Sequence, residues 1–344
     1  MANRFAALVA RQFRRAVAAA VLSAAIATPA LAAEPLVSVD WLKAHRADAG
    51  VVVLDIRSAI DGGGKDAFVK AHIPGAVHTD YDKSGWRVER KGVPFMLPTV
   101  AELEKLIGEL GIDEDSHVVV VPAGVSHTDF GSAARVYWTL KTVGVNKVSI
   151  LDGGFAAWTG AGQPVAQGAV VPSPKIFTAT FSDKSLANDE RVLASSGIKE
   201  AKVAASVVGS AKAAASPGVT LIDARPESYF LGKEKAPNAA AYGHIPGAVN
   251  LDSAAFYDAA TNRLKPRAEL AALAAQIPDG PAIAYCNTGH WAATDWFVLH
   301  ELLGRKEVRL YDGSMVEWTS HRDRPVASSR TKWDDLKRAL GLGS

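Results

Sequence analysis

The sequence predicts an α/β protein of two like domains, each an open, mostly parallel sheet with helices on both faces. Two observations carry that prediction. Short apolar, β-branched runs of strand length (51–54, 118–121, 148–151 and 219–222, 282–285, 308–311) alternate with helical patterns and show little in/out alternation, as strands buried on both faces should. One unit also occurs twice. Leu54-Asp55-Ile56-Arg57 and Ile222-Asp223-Ala224-Arg225 each end a strand run in D-x-R, and H-I-P-G-A-V follows at His72 and at His244. Leu151-Asp152-Gly153-Gly154 with Trp158 then matches Tyr311-Asp312-Gly313-Ser314 with Trp318.

The elements follow in order. Residues 1–33 hold Arg4, Arg11, Arg14 and Arg15 with no acid, then the apolar stretch Ala16 to Ile26, Thr28-Pro29 and a small-residue run. That order reads as a signal peptide, and Thr28-Pro29 breaks the run short of the roughly 20 apolar residues of a membrane span. Arg14-Arg15 raises twin-arginine export, with little support from its neighbours. Residues 34–164 form the first domain, with helices expected at 99–110 and 132–143, and 165–190, containing Pro172-Ser173-Pro174, read as the linker. The second domain covers 191–328, with its first helix expected in the Ala-rich segment 201–216 and others at 266–276 and 292–303. Gly111, Gly144 and Gly304 sit where helix C-terminal caps belong. In the tail, 329–344, Trp333, Leu336 and Leu340 share one helical face.

Composition narrows the function. At 344 residues, 48% hydrophobic and 22% charged, the chain is neither disordered nor a multi-span membrane protein. Its formal charge of +2 owes everything to the leader, because removing those four arginines leaves 34 Lys+Arg against 36 Asp+Glu. No nucleic-acid partner is implied. The one cysteine, Cys286, excludes an intrachain disulfide and a multi-cysteine metal site, and nine scattered histidines support no other metal site. Gly62-Gly63-Gly64-Lys65 fails the P-loop pattern at Ala59 and Asp66, and Gly124-Val125-Ser126-His127-Thr128 fails G-x-S-x-G at Thr128. Trp41, Trp138, Trp158, Trp296 and Trp318 fit core positions.

The repeats diverge chemically at one place. The strand 282–285 runs into Cys286-Asn287-Thr288-Gly289-His290-Trp291 and a helix, whereas 118–121 runs into Pro122-Ala123-Gly124-Val125-Ser126. Aligning on the strand sets Pro122 against Cys286; counting back from D-G sets Ser126 there. Either way the first copy has no thiol. A cysteine between a buried strand end and a helix start meets successive backbone N–H groups and the helix dipole, which favour an anion at the sulfur and a nucleophilic thiolate. Gly289 allows the loop to curl, and the same concavity can hold an oxyanion.

These features, D-x-R, H-I-P-G-A, strand–Cys–loop–helix and D-G-[GS]-x-x-x-W, resemble the tandem-domain rhodaneses, the thiosulfate and 3-mercaptopyruvate sulfurtransferases. The resemblance covers nearly all of residues 36–327. It implies two rhodanese-like domains, an inactive N-terminal scaffold and a catalytic C-terminal copy, a Cys286 persulfide formed from a small anionic donor and passed to cyanide or a thiol, and no cofactor. By the same resemblance Arg225 binds the anionic donor while Asp223 holds its turn. The loop residues Asn287, Thr288, Gly289, His290 and Trp291 are the remaining candidate donor contacts. Asn287 and Thr288 fit neither the basic loop of the thiosulfate type nor the Gly/Ser loop of the mercaptopyruvate type. His290 either supplies a proton or charge or is a hydrogen-bonded wall, and the insertion 232–241 with Lys233 and Lys235 either steers anions or is a solvated loop.

Two other functions compete. A cysteine phosphatase or arsenate reductase on this fold wants C-x-x-x-x-x-R, and the arginine position is Ala292. A periplasmic sulfur carrier would use the same cysteine with little turnover. No span follows the leader, so the mature chain is expected in a periplasm.

Overall fold

The computed structural model describes residues 33–196 and 218–330. The segment expected to be a signal peptide, apart from Ala33, the helix expected in the Ala-rich segment 201–216 and the tail from Trp333 lie outside them. Two five-stranded parallel sheets organise the rest. The first has the order β1 (Leu36–Val37), β7 (Lys147–Leu151), β6 (His117–Val121), β2 (Val51–Asp55), β3 (Val77–His78). The second repeats it as β8 (Leu186–Ala187), β14 (Val308–Tyr311), β13 (Ala282–Tyr285), β9 (Thr220–Asp223), β10 (Val249–Asn250). The central strands are buried along their length save for the half-buried His117 that opens β6, which is why their sequences read as continuous apolar runs.

Two features depart from the expected layout. Strand β8 pairs with β14 through Leu310↔Leu186 and Tyr311↔Ala187, so the second sheet begins inside the segment 165–190. That segment also lies against the first domain: Lys175, Thr180 and Ser182 N–H groups donate to the carbonyls of Gly108, Val143 and Thr142. Two antiparallel hairpins also interrupt the repeats, β4 (Val88–Arg90) with β5 (Val93–Met96), and β11 (Tyr257–Asp258) with β12 (Arg263–Leu264).

Helices cover both faces. In the first copy these are α1 (Val39–His45), α2 (Lys65–Lys70), α3 (Val100–Glu109), α4 (His127–Thr142) and α5 (Gly154–Gly160). In the second they are α6 (Asp189–Ser195), α7 (Glu227–Phe230), α8 (Arg267–Ala274), α9 (Trp291–Trp296), continued by a π-helical stretch Phe297–Leu302, and α10 (Ser314–Ser320). Helix α4 starts five residues earlier than its apolar periodicity because Ser126 caps it, accepting from Asp129 N–H at 3.1 Å. It is buried almost throughout, since its outer face meets α9 rather than water. Phe130 and Tyr137 of α4 pack on Tyr257, Trp296 and Phe297, joining the two sheets' inner layers into one core. Trp138, Trp158, Trp296 and Trp318 are core residues, whereas Trp41 is half-buried against His45 and His117.

The repeated motifs are structural locks. Arg57 pairs with Asp55 and donates to Ala71 O (2.7 Å), and Arg225 pairs with Asp223 and donates to Gly243 O (2.8 Å). Each thereby ties a strand end to the residue before H-I-P-G-A. The histidines of that motif bond to Phe68 O and Phe230 O and stack on those same rings, at 4.0 and 3.7 Å. Trp158 and Trp318 each donate to a proline carbonyl, of Pro164 and Pro325.

Candidate active site

Sheet register fixes what stands opposite the cysteine. Asp55 pairs with Val121 and Asp223 with Tyr285, so the next residues, Pro122 and Cys286, correspond. Phe155 N–H donates to Pro122 O and Met315 N–H to Cys286 O, which repeats the match on the other side. The strand alignment therefore holds, and Ser126 matches His290.

The loop after Pro122 shows what such a loop binds. Its N–H groups at Ala123 (3.0 Å), Gly124 (2.5 Å) and Val125 (3.1 Å) all donate to the carboxylate of Asp129, in the first turn of α4. Burial, followed by the nearby Asp61, raises the Asp129 pKa to about 7. The corresponding residue beside Cys286 is Ala293, so the second loop has no internal carboxylate at that position.

The Cys286 loop is held from behind. Ser314 Oγ accepts from the N–H groups of Cys286 and Gly289, both at 3.0 Å, and donates to Tyr311 O at 2.8 Å. To place that hydroxyl Ser314 adopts φ 51°, where the first copy has Gly154. Gly289 itself has φ 69°, and a Cβ there would lie 2.7 Å from Asp312 Cα and strike Arg135. Only glycine fits.

The cysteine lies on the floor of a cleft of about 350 Å³. Asn287, Thr288, His290 and Trp291 of its own domain line that cleft, and Ile60, Asp82, Arg87, Phe95 and Thr128 line it from the first domain. Hydrogen bonds stitch the two halves together. His290 Nε2 lies 2.8 Å from Thr128 O, which can only accept, so Nε2 carries the proton and Nδ1 accepts from Tyr81 OH at 2.9 Å. Burial, then Arg87, lowers the His290 pKa to about 3. This histidine is therefore a neutral, fully bonded wall. Trp291 Nε1 donates to Thr128 Oγ1 (3.2 Å), and Arg135 of α4 donates to Gly289 O and to Asp312, both at 3.2 Å.

Arg225 lies elsewhere. Its side chain is 1% exposed, with Nε and Nη2 on Asp223, Nη2 also on Gly243 O and Nη1 on Asn287 Oδ1 at 3.3 Å. It supports the loop from beneath, outside the residues that line the cleft, and the cysteine-free copy holds Arg57 in the same way. Lys235 Nζ of the insertion 232–241 donates to Ala239 O (2.8 Å), while Ala236 and Ala239 pack on Val93 and Met96 of the β4–β5 hairpin.

Sequence reasoning missed the first-domain wall: Ile60, Tyr81, Asp82, Arg87, Phe95 and Thr128. No local pattern marks these residues, because only the packing of one copy against the other brings them to Cys286. Among the described residues no group of three or more His, Cys, Asp or Glu could hold a metal ion, and no helix is long and apolar enough to cross a membrane.

Comparison with known proteins agrees with this architecture. The rhodanese-like domain family matches residues 38–161 and 209–321. The chain is 31% identical over 298 residues to 3-mercaptopyruvate sulfurtransferase of Escherichia coli K12, covering 84% of this chain and 96% of that protein. It is 32% identical over 303 residues to bovine thiosulfate sulfurtransferase, covering 84% and 93%. The crystal structure of SseA, a 3-mercaptopyruvate sulfotransferase from Escherichia coli, superposes with a TM-score of 0.66 at 30% identity over 82% of this chain and 98% of SseA. With its doubled sheet, repeated locks and single thiol at one strand end, the chain belongs to the rhodanese family and is a two-domain sulfurtransferase.

Proposed function

We propose that Cys286 is the sulfur-carrying residue and that thiosulfate is the donor. The observation that carries this reading is the contrast between the two loops: one closes on its own Asp129 carboxylate, and the other sets a thiol, only 1% exposed, at the base of a cleft with Ala293 in place of that acid. The Cys286 thiolate attacks the outer sulfur of thiosulfate, a new S–S bond forms, and sulfite leaves with the electron pair of the old one. Cyanide or a thiol then attacks the outer sulfur of the persulfide, and the Cys286 thiolate is regenerated as leaving group.

The cleft favours a second donor reading, 3-mercaptopyruvate, because Ile60, Phe95 and Trp291 give it walls that suit a carbon-bearing donor. Parallel turnover assays decide between them. Thiocyanate release with kcat/KM higher for thiosulfate supports the first reading; a kcat/KM about tenfold higher for 3-mercaptopyruvate replaces it with the second. Stoichiometric loading with sulfur but negligible turnover with any small acceptor points instead to a sulfur carrier.

Export belongs to the same reading. The basic, apolar and small-residue order of residues 1–33 directs the chain to the periplasm. N-terminal sequencing of protein from the periplasmic fraction is expected to begin close to Glu34; an intact Met1 in the cytoplasmic fraction contradicts it.

A further inference from the structure

We propose that Arg87, in the cysteine-free first domain, is the anion anchor of the Cys286 cleft and selects donors by charge. Three other groups could have supplied positive charge there, and none of them presents it to the cleft. Arg225 is buried against Asp223, Gly243 O and Asn287; Arg135 is buried against Gly289 O and Asp312; His290 is neutral between Tyr81 and Thr128. Among the described residues that line the cleft, Arg87 is the remaining cation.

Its setting fits that task. The guanidinium carbon lies 4.3 Å from the ring centre of Tyr81 and 4.9 Å from that of Phe95. The side chain is only 8% exposed, so its position is set before any ligand arrives. Nη2 donates to Asp82 Oδ1 at 2.8 Å, while Nε is buried without a hydrogen-bond partner. A buried guanidinium N–H lacking an acceptor is costly, and it leaves Arg87 with hydrogen-bonding capacity beyond its Asp82 contact. Phe95 holds φ 67°, a left-handed backbone that an aromatic residue rarely adopts, at the point where its ring flanks the guanidinium. The hairpin that carries it is fastened to the cysteine domain: Leu97 N–H donates to Asp312 Oδ2 at 2.7 Å, and Val93 packs on Val316 and Ala239. Thiol and anchor are thus built on opposite domains, and a bound anion bridges them.

The consequence for donors rests on the sulfurtransferase reading, but the test does not. Cys286 is alkylated with iodoacetate, which bears a carboxylate, and with the neutral iodoacetamide, in the full chain at low ionic strength. The Arg87→Gln variant is expected to lower the ratio of the two rates by about fivefold or more, and Asp82→Asn, which leaves Arg87 in place and removes its competing carboxylate, to raise it about twofold or more. A ratio unchanged in Arg87→Gln overturns the proposal, and so does a ratio unchanged or lowered in Asp82→Asn. With thiosulfate, Arg87→Gln should raise KM by about tenfold with kcat held within about twofold. If wild-type protein turns over no sulfur donor while the alkylation ratios behave as stated, the sulfur-transfer reading fails and the anchor stands.

Discussion

Arg225 and Arg57 show how much one residue's surroundings decide its role. Both guanidiniums are buried on an aspartate two residues back and tie their strand end to the next turn, with a thiol nearby in one case and none in the other. A group that does the same job in both copies is positioning structure. Breaking a buried pair leaves an uncompensated charge, so Arg225→Ala should lower stability by about 3–5 kcal/mol in denaturant titrations. An unchanged midpoint accompanied by a higher donor KM would return Arg225 to the donor site. His290 makes a second prediction at this scale. Its folded-state pKa of about 3 lies below the ordinary histidine value, so the unfolded chain binds the extra proton and stability falls as pH drops from about 6.5 towards 3. Relative to His290→Gln, wild-type protein should lose on the order of 3 kcal/mol between pH 7 and pH 4. A pH-independent difference between the two would mean that the imidazole is not buried neutral.

Among the elements, the long ones were legible and the short ones were not. Strands β2, β6, β7, β9, β13 and β14 announce themselves because both faces are buried. Edge strands of two residues, β1, β3, β8 and β10, have no period to detect and exist only because a longer neighbour offers its open edge. The start of α4 was hidden for another reason: His127, Thr128 and Asp129 are polar in sequence but face the loop and the other domain. The Cys286 loop was readable as strand, thiol, turn and helix, whereas its support by Ser314 required the D-G-S segment to fold back beneath it. Removing that hydroxyl strands two buried N–H groups. Ser314→Ala is therefore expected to cost about 2 kcal/mol of stability and to slow sulfur loading of Cys286 by about tenfold in rapid-quench measurements. Loading at the wild-type rate would show that the loop keeps its shape without Ser314.

Across the whole molecule, the cysteine-free copy is more than the idle scaffold that the family resemblance implies. It supplies one wall of the cleft, bonds to His290 and Trp291, and shares a continuous hydrophobic core with its twin through α4 and α9. Domains joined this way should not melt separately. Calorimetry of the full chain is expected to give one transition with matching calorimetric and van't Hoff enthalpies, and two resolved transitions would contradict the shared core. Residues 34–344 carry 34 Lys+Arg against 36 Asp+Glu, a net charge of about −2, which repels an anionic donor weakly at long range. Attraction has to be local, and on this account the thiol-bearing loop of the second domain and the first domain provide it together.

The central claim is that Cys286 carries the transferred sulfur. Intact-mass spectrometry of the purified protein after brief treatment with thiosulfate tests it most directly. The account predicts a gain of one sulfur atom per chain, reversed by cyanide with release of thiocyanate, and no gain in a folded Cys286→Ser variant; sulfur loading or turnover that survives in Cys286→Ser would contradict it.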